Sequence, residues 1–183
     1  VNNKTVSSDY PHHFSHWFDL APRIHRIEQE LQSREKLSVQ DFMDLQTDHH
    51  SLMVSNYKPE IVKHAGNIAY QSGILKKAIT ILDEWDGHYS RNSAAAAIFE
   101  QFYITFVENL IKDELGEELY KEYIGSKILV RNLMKNIWNN QDSRWCDEVN
   151  TTDKKETFSE IIQKSFKESI DVLSEKLGDT PGD

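Results

Sequence analysis

Residues 94–115 read AAAAIFEQFYITFVENLIKDEL, and this stretch decides the fold class. Its large apolar side chains recur every three or four positions, the spacing that places them on one face of an α-helix. Ser93 precedes the stretch and Gly116 follows it, and these residue types are typical of the start and the end of a helix. We therefore predict one long helix here, at the centre of the hydrophobic core.

The same helical spacing recurs along most of the chain. Glycine and proline are scarce, at seven and four residues, and apolar and polar residues alternate over only a few positions, so β-strands have little support. Pro22 and Pro59 suit a first helical turn, and Gly73 is expected to interrupt a helix. The additional helices that we predict cover residues 22–34, 38–54, 59–72, 74–84, 126–138 and 152–177. The sequence is that of an all-α, multi-helix segment with about six to seven helices.

The first 21 residues differ from the rest. They run from a polar stretch into a cluster of aromatic residues and histidines with no helical or strand period. No internal repeat and no low-complexity linker divides the remainder. We predict an irregular segment at residues 1–21 and one helical domain at residues 22–183.

Composition excludes several classes of protein. The chain has 183 residues, of which 38% are hydrophobic, so it can bury a core and is not simply disordered. Its net charge of −9 disfavours binding to nucleic acid or to anionic lipid. The longest uninterrupted apolar run, residues 94–99, is far shorter than the roughly 20 residues that span a bilayer. We expect neither a nucleic-acid partner nor a membrane.

Residue patterns typical of catalysis or metal binding are weak. All eight histidines lie between His12 and His88, but the single cysteine, Cys146, is distant from them, and no HExxH pair or GxSxG elbow occurs. The acidic residues alternate with lysines at helical spacings, which favours a solvated surface. The residues alone indicate no more than an acidic helical domain.

Short motifs nevertheless follow one another in an informative order. They are VNN at residues 1–3, YP at 10–11, Trp17, PRIHRI at 22–27, DFMDLQTD at 41–48, LDEWDG at 82–87, SAAAAIF at 93–99, WCD at 145–147, TT at 151–152, Glu156 and LGD at 177–179. In this order they resemble the β-chain of the penicillin acylase family, which consists of amidases that use an N-terminal nucleophile. The resemblance covers nearly the whole chain.

The resemblance implies a mechanism and two site residues. The family's nucleophile is a serine, or a cysteine or threonine in relatives, that is freed at a chain start and uses its own α-amino group as the base. This chain starts with Val1, so the nucleophile is expected upstream. Asn2 matches the asparagine that donates to the oxyanion, and Arg23 matches an arginine that supports the active site.

The resemblance also implies the context of this chain. The family fold is a four-layer αββα sandwich on which the helical segment packs, with the α-chain and the rest of the β-chain as partners and a small acyl amide as substrate. The chain ends inside the family pattern on both sides, so we expect a piece of a longer, periplasmic or secreted enzyme that is inactive alone. Calcium is possible in the intact enzyme but not from this segment, because residues 12–15 read HHFS where the family has a carboxylate, and Asp19 is the first acid beyond them.

Two other interpretations remain open at this point. The first is that the chain is a stand-alone acidic helical module that binds other proteins and has no catalytic activity. The group His12, His13 and His16 also allows a metal-binding module, although the spacing is a weak signal. A start codon just before Val1 would favour the interaction module, and an upstream Gly-Ser or Ala-Ser junction would favour the amidase.

Overall fold

The computed structural model describes residues 3–7 and 9–178. Seven α-helices occur in this part of the chain: α1 (Pro22–Gln32), α2 (Val39–Gln46), α3 (Leu52–Ala65), α4 (Gly73–Glu84), α5 (Ala94–Ile124), α6 (Lys127–Asn139) and α7 (Phe158–Leu177). Two short 3₁₀-helices, Gly66–Gln71 and Arg144–Cys146, complete the regular structure. Strand-like pairing among these residues is limited to two isolated bridges. The predicted all-α fold is confirmed.

Helix α5 forms the centre of the core, as its apolar periodicity predicts. Ser93 caps it by accepting a hydrogen bond from the Ala96 N–H (3.1 Å), and Phe102 and Phe106 are completely buried. The helix breaks at Gly116, where φ is 68° and ψ is 176°, and then continues to Ile124. Gly116 therefore ends the first helical run as predicted, but a second run follows it directly.

Helix α7 packs along α5, and aromatic rings fill the space between them. The Phe106 ring lies 6.1 Å from that of Phe158 and 5.4 Å from that of Trp138 in α6, and Trp138 lies 5.2 Å from Phe158. The ring of Phe166 lies 6.2 Å from that of Phe102. Pairs at these distances contribute about 0.5–1.5 kcal/mol beyond the area that they bury. The core thus joins α5, α6 and α7.

The predicted helix over residues 38–54 is wrong, because the chain forms two helices there. Helix α2 ends at Gln46, and Asp48 accepts a hydrogen bond from the His50 N–H (3.0 Å), which fixes a turn before α3. Pro59 lies inside α3 and does not begin a helix. The buried face of α3 extends to both sides of Pro59, from Val54 to Ala65, and its burial outweighs the one backbone hydrogen bond that proline cannot donate.

Two further boundaries differ from the prediction. Gly73 is the first residue of α4 rather than an interruption, and Ser72 caps that helix by accepting from the Leu75 N–H (3.2 Å). Helix α7 begins at Phe158 rather than near residue 152, because Thr157 and Glu160 form a capping box. Residues 147–157 precede α7 as a loop, in which the buried carboxylate of Glu156 accepts hydrogen bonds from the Thr151 hydroxyl and the Glu148 N–H.

None of the helices described here is both long enough and apolar enough to cross a membrane.

Candidate functional site

The segment before α1 is attached to the helical domain through Asp19. The backbone of Asn3 pairs with that of Asp19 in a parallel bridge, and the Asp19 carboxylate accepts a charged hydrogen bond from Arg131 of α6. The Asp19 side chain is only 10% exposed, and its second oxygen accepts from the Leu20 N–H (2.9 Å). The ion pair between Asp19 and Arg131 therefore anchors the segment on α6.

Only one of the two predicted site residues, Arg23, belongs to the described part of the chain. Asn2 lies outside the described residues, and its neighbour Asn3 is the residue paired with Asp19. Arg23 is the second residue of α1, four positions after Asp19, and it is exposed. The described residues provide no hydrogen-bond or ion-pair partner for Arg23.

Arg26, one turn further along α1, fixes this helix to the rest of the domain. Its guanidinium bonds to Asp48 at 2.5 Å and to Glu30 at 2.8 Å. Partial burial opposes ionisation of Asp48, but the hydrogen bonds from Arg26 and from the His50 N–H, together with the positive charge of Arg26, outweigh it and keep the pKa of that carboxyl below its usual value. Because Asp48 precedes α3, this pair sets the orientation of α1 and hence the side on which Arg23 is exposed.

A cleft of about 530 Å³ lies between α5, α6, the start of α3 and Tyr89. Its walls are mainly aromatic and aliphatic side chains: Met53, Tyr89, Phe99, Tyr103, Ile104, Val107, Tyr120, Ile124 and Val130. Arg131, the partner of Asp19, and Lys127 also line it. The cleft therefore shares Arg131 with the anchor of the N-terminal segment.

The polar groups of this cleft are suited to binding rather than to proton transfer. The Tyr89 hydroxyl donates to Glu100 (2.5 Å), and burial together with the Glu100 carboxylate raises the pKa of Tyr89. Burial likewise raises the pKa of Tyr103, whose hydroxyl oxygen is buried without a partner among the described residues. Both phenols stay protonated at neutral pH, so the cleft offers apolar walls, the phenolic donor of Tyr103 and the cationic side chains of Lys127 and Arg131.

The histidines do not assemble into a metal site in residues 3–7 and 9–178. The rings of His13 and His16 approach to 4.2 Å, but no group of three or more His, Cys, Asp or Glu side chains in this part of the chain could hold an ion. Residues 12–15 also contain no carboxylate, the type of ligand that calcium prefers. The described residues therefore offer no group suited to holding a metal ion.

Sequence reasoning missed the pairing of Asp19 with Arg131 because 112 positions separate the two residues. The only signal was that Asp19 is the first acid after the histidine cluster. The cleft was missed for the same reason, since its walls come from four separate parts of the chain.

Comparison with known proteins supplies the family. The profile described as "Penicillin amidase" matches residues 1–183, whereas no curated protein sequence matches the chain. Among solved structures, a thermostable penicillin G acylase from Alcaligenes faecalis is similar, with a TM-score of 0.61 and 14% sequence identity. The match covers 100% of this chain and 36% of that chain. At this identity the structural likeness establishes the fold only.

Proposed function

Because the chain belongs to the penicillin amidase family, we propose that it is the helical part of an amidohydrolase that cleaves the carbon–nitrogen bonds of linear amides. The match of the family profile over residues 1–183 carries this proposal. It also favours the amidase over a stand-alone interaction module, since the profile describes an enzyme. The chain spans 36% of the similar acylase, so the activity proposed is that of a larger protein.

In the proposed reaction an N-terminal serine outside this chain attacks the amide carbonyl carbon. The C–N bond breaks to give an acyl-enzyme and the amine, and water then releases the acid. The Asn2 side chain donates a hydrogen bond to the oxygen that becomes negative as the carbonyl turns tetrahedral. Arg23 supports Asn2 and the entrance for the substrate.

The anchor described above supports these roles for Asn2 and Arg23. Asn3 follows Asn2 directly and is paired with Asp19, which Arg131 holds on α6. Arg23 follows Asp19 by four positions on a helix that Arg26 and Asp48 fix. These contacts hold Asn3 and the start of α1 near each other around Asp19. A site that combines Asn2 with Arg23 requires such proximity.

The rest of the acylase is the proposed partner of this chain. Phe14 and Trp17, in the segment before α1, are 66% and 62% exposed, and large exposed aromatic side chains of this kind are typical of contact surfaces. The α-chain and the rest of the β-chain would cover them and supply the nucleophile, so the 183-residue chain alone is expected to be inactive. The family resemblance favours a periplasmic or secreted enzyme.

Replacement of Asn2 by alanine in the full-length enzyme tests the proposed function. We expect turnover of a chromogenic phenylacetyl amide to fall by about 10²–10³-fold, because loss of one oxyanion donor costs roughly 2.7–4 kcal/mol of transition-state stabilisation. Autoprocessing and folding should persist. Steady-state kinetics on the processed enzyme provides the measurement.

Asn3→Ala is the matched control. The Asn3 side chain bonds only to the neighbouring Lys4 carbonyl (3.0 Å) among the described residues, so its loss should leave turnover within about twofold. Unchanged turnover of the Asn2→Ala enzyme, or an equal loss in both variants, would contradict the assignment of Asn2.

A further inference from the structure

Three polar side chains at the contact between α3 and α7 form a continuous chain of hydrogen bonds. His64 Nδ1 lies 2.9 Å from Ser159 Oγ, and His64 Nε2 lies 3.1 Å from Glu60 Oε2. Ser159 is 95 positions from His64 in sequence, so the fold alone brings them together. None of the three residues belongs to the site proposed above.

The direction of these hydrogen bonds follows from the chemistry of Glu60. Lys63 lowers the pKa of that carboxyl, so Glu60 is ionised at neutral pH and can only accept. His64 Nε2 must then carry the proton, and in the neutral ring Nδ1 is an acceptor. The Ser159 hydroxyl donates to Nδ1 while its oxygen accepts from Gln163 Nε2 (3.0 Å).

This order is that of a nucleophile, a base and a carboxylate that orients the base. The ring of Phe158 packs edge-on against that of His64, with 5.6 Å between the centroids, and limits rotation of the imidazole. The His64 side chain is 15% exposed and Ser159 is partly exposed. Neither residue is fully buried, so we expect a small reagent to reach the serine oxygen without unfolding of the contact.

The start of α7 adds two donors beside Ser159. The first N–H groups of a helix have no acceptor within the helix. Thr157 accepts from the N–H groups of Glu160 and Ile161, but the described part of the chain provides no acceptor for those of Phe158 and Ser159. These N–H groups are free to donate to the reagent's carbonyl or phosphoryl oxygen, which becomes negative when Ser159 Oγ attacks.

We propose that Ser159, His64 and Glu60 form a second reactive centre, directed at small activated acyl esters and organophosphonates. Ser159 Oγ bonds to the acyl carbon or to phosphorus, and its proton passes to His64 Nδ1. The bond to the leaving phenolate or fluoride breaks, and that group departs with the electron pair. Glu60 is the positioning residue, because it holds the tautomer that lets His64 accept the proton.

Labelling of the full-length protein with a fluorophosphonate probe tests this centre. Peptide mapping by mass spectrometry should locate an adduct on Ser159. Ser165, Ser169 and Ser174 lie in the same helix, have no histidine within hydrogen-bond distance in the described structure, and should stay unlabelled. An adduct on the N-terminal serine of the proposed amidase falls on a different peptide, so the two sites are read separately.

Two variants test the roles of the other residues. His64→Gln should reduce the rate of Ser159 labelling by about 100-fold, in the range typical of general-base catalysis, while the circular dichroism spectrum confirms that the helices persist. Glu60→Gln should reduce it to a smaller extent. Absence of an adduct on Ser159 in the wild-type protein, or an equal rate in a folded His64→Gln variant, would overturn the proposal.

Discussion

The carboxyl group of Glu114 has a strongly raised pKa. Burial, and to a lesser degree the adjacent Asp113 carboxyl, raise the pKa of Glu114 to about 8. Oε2 of Glu114 is buried without a partner among the described residues, as is Oδ1 of Asp113, and Asp113 Oδ2 accepts from the Val149 N–H (2.9 Å). At neutral pH Glu114 is thus mostly protonated.

Replacement of Glu114 by glutamine should therefore stabilise the protein at high pH. In the wild-type chain the folded pKa of about 8 exceeds the ordinary 4.5, so the folded state binds more protons and loses stability as the pH rises through this range. Glutamine does not ionise. Its advantage in free energy of unfolding should be small at pH 5 and reach about 1 kcal/mol at pH 9, after allowance for partial exposure.

Urea unfolding at several pH values measures this difference. Glu117→Gln is the control, because Lys121 and Lys112 lower the pKa of Glu117, so its ionised form stabilises the fold and the variant should gain nothing at pH 9. Identical pH profiles for wild type and Glu114→Gln would refute the assignment.

Single residues also show how far a sequence can define a site. Asn2 and Arg23 were predicted from the order of motifs, which carries family information but no distances. The pairs Asp19 with Arg131 and His64 with Ser159 are separated by 112 and 95 positions. Neither local spacing nor residue type indicates such contacts, because tertiary packing of helices creates them.

Helices were predicted well wherever their apolar face is continuous, and poorly at their ends. The continuous apolar face of α5 correctly predicted that this helix begins at residue 94. The prediction that a helix starts at Pro59 failed because proline affects the backbone only locally. The buried face of α3 extends from Val54 to Ala65 and keeps the helix continuous through Pro59. The start of α7 was placed too early because Thr152 resembles a cap as much as Thr157 does, and only Thr157 has a glutamate three positions later.

The break in α5 depends on glycine at position 116. Its backbone angles, φ of 68° and ψ of 176°, are ones that residues other than glycine rarely adopt. No atom lies within 4 Å of a Cβ built there, so backbone strain alone opposes substitution. Gly116→Ala should lower the free energy of unfolding by about 1–3 kcal/mol, as measured by urea unfolding.

Gly73→Ala provides the matched control for this prediction. Gly73 begins α4, has no positive φ, and also has no atom within 4 Å of a built Cβ. Alanine should stabilise the helix there by about 0.4–1 kcal/mol, because it restricts the unfolded chain. If both variants shift stability in the same direction, the break at Gly116 is not conformationally required.

The molecule as a whole consists of a tightly packed core and a loosely attached N-terminal segment. Helices α5 and α7 make the most extensive helix–helix contact, and α3 also packs on α7. None of the described residues before α1, 3–7 and 9–21, belongs to the buried core, so the position of this segment depends on polar contacts rather than on packing. Because Arg131 belongs to α6, its ion pair with Asp19 makes the position of the segment, and of the proposed site residues next to it, depend on the position of α6.

Arg131→Met should therefore release the N-terminal segment and leave the core intact. Removal of the guanidinium leaves the Asp19 carboxylate without its cation, although its side chain is only 10% exposed. Because a buried, unpaired charge is costly in free energy, the segment should move away from α6 and into water. Amide hydrogen exchange at Asp19 and Leu20 should accelerate at least tenfold, because the segment opens locally, whereas exchange in α5 and α7 should not change.

Lys127→Met is the control, because Lys127 lies on the same helix and lines the same cleft as Arg131. This variant should change neither the exchange of the segment nor that of the core helices. In the proposed full-length amidase, Arg131→Met should also lower turnover, because the two proposed site residues, Asn2 and Arg23, flank the released region in sequence. If exchange at Leu20 stays slow in Arg131→Met, contacts other than this ion pair hold the segment, and the proposed geometry of Asn2 and Arg23 loses its structural support.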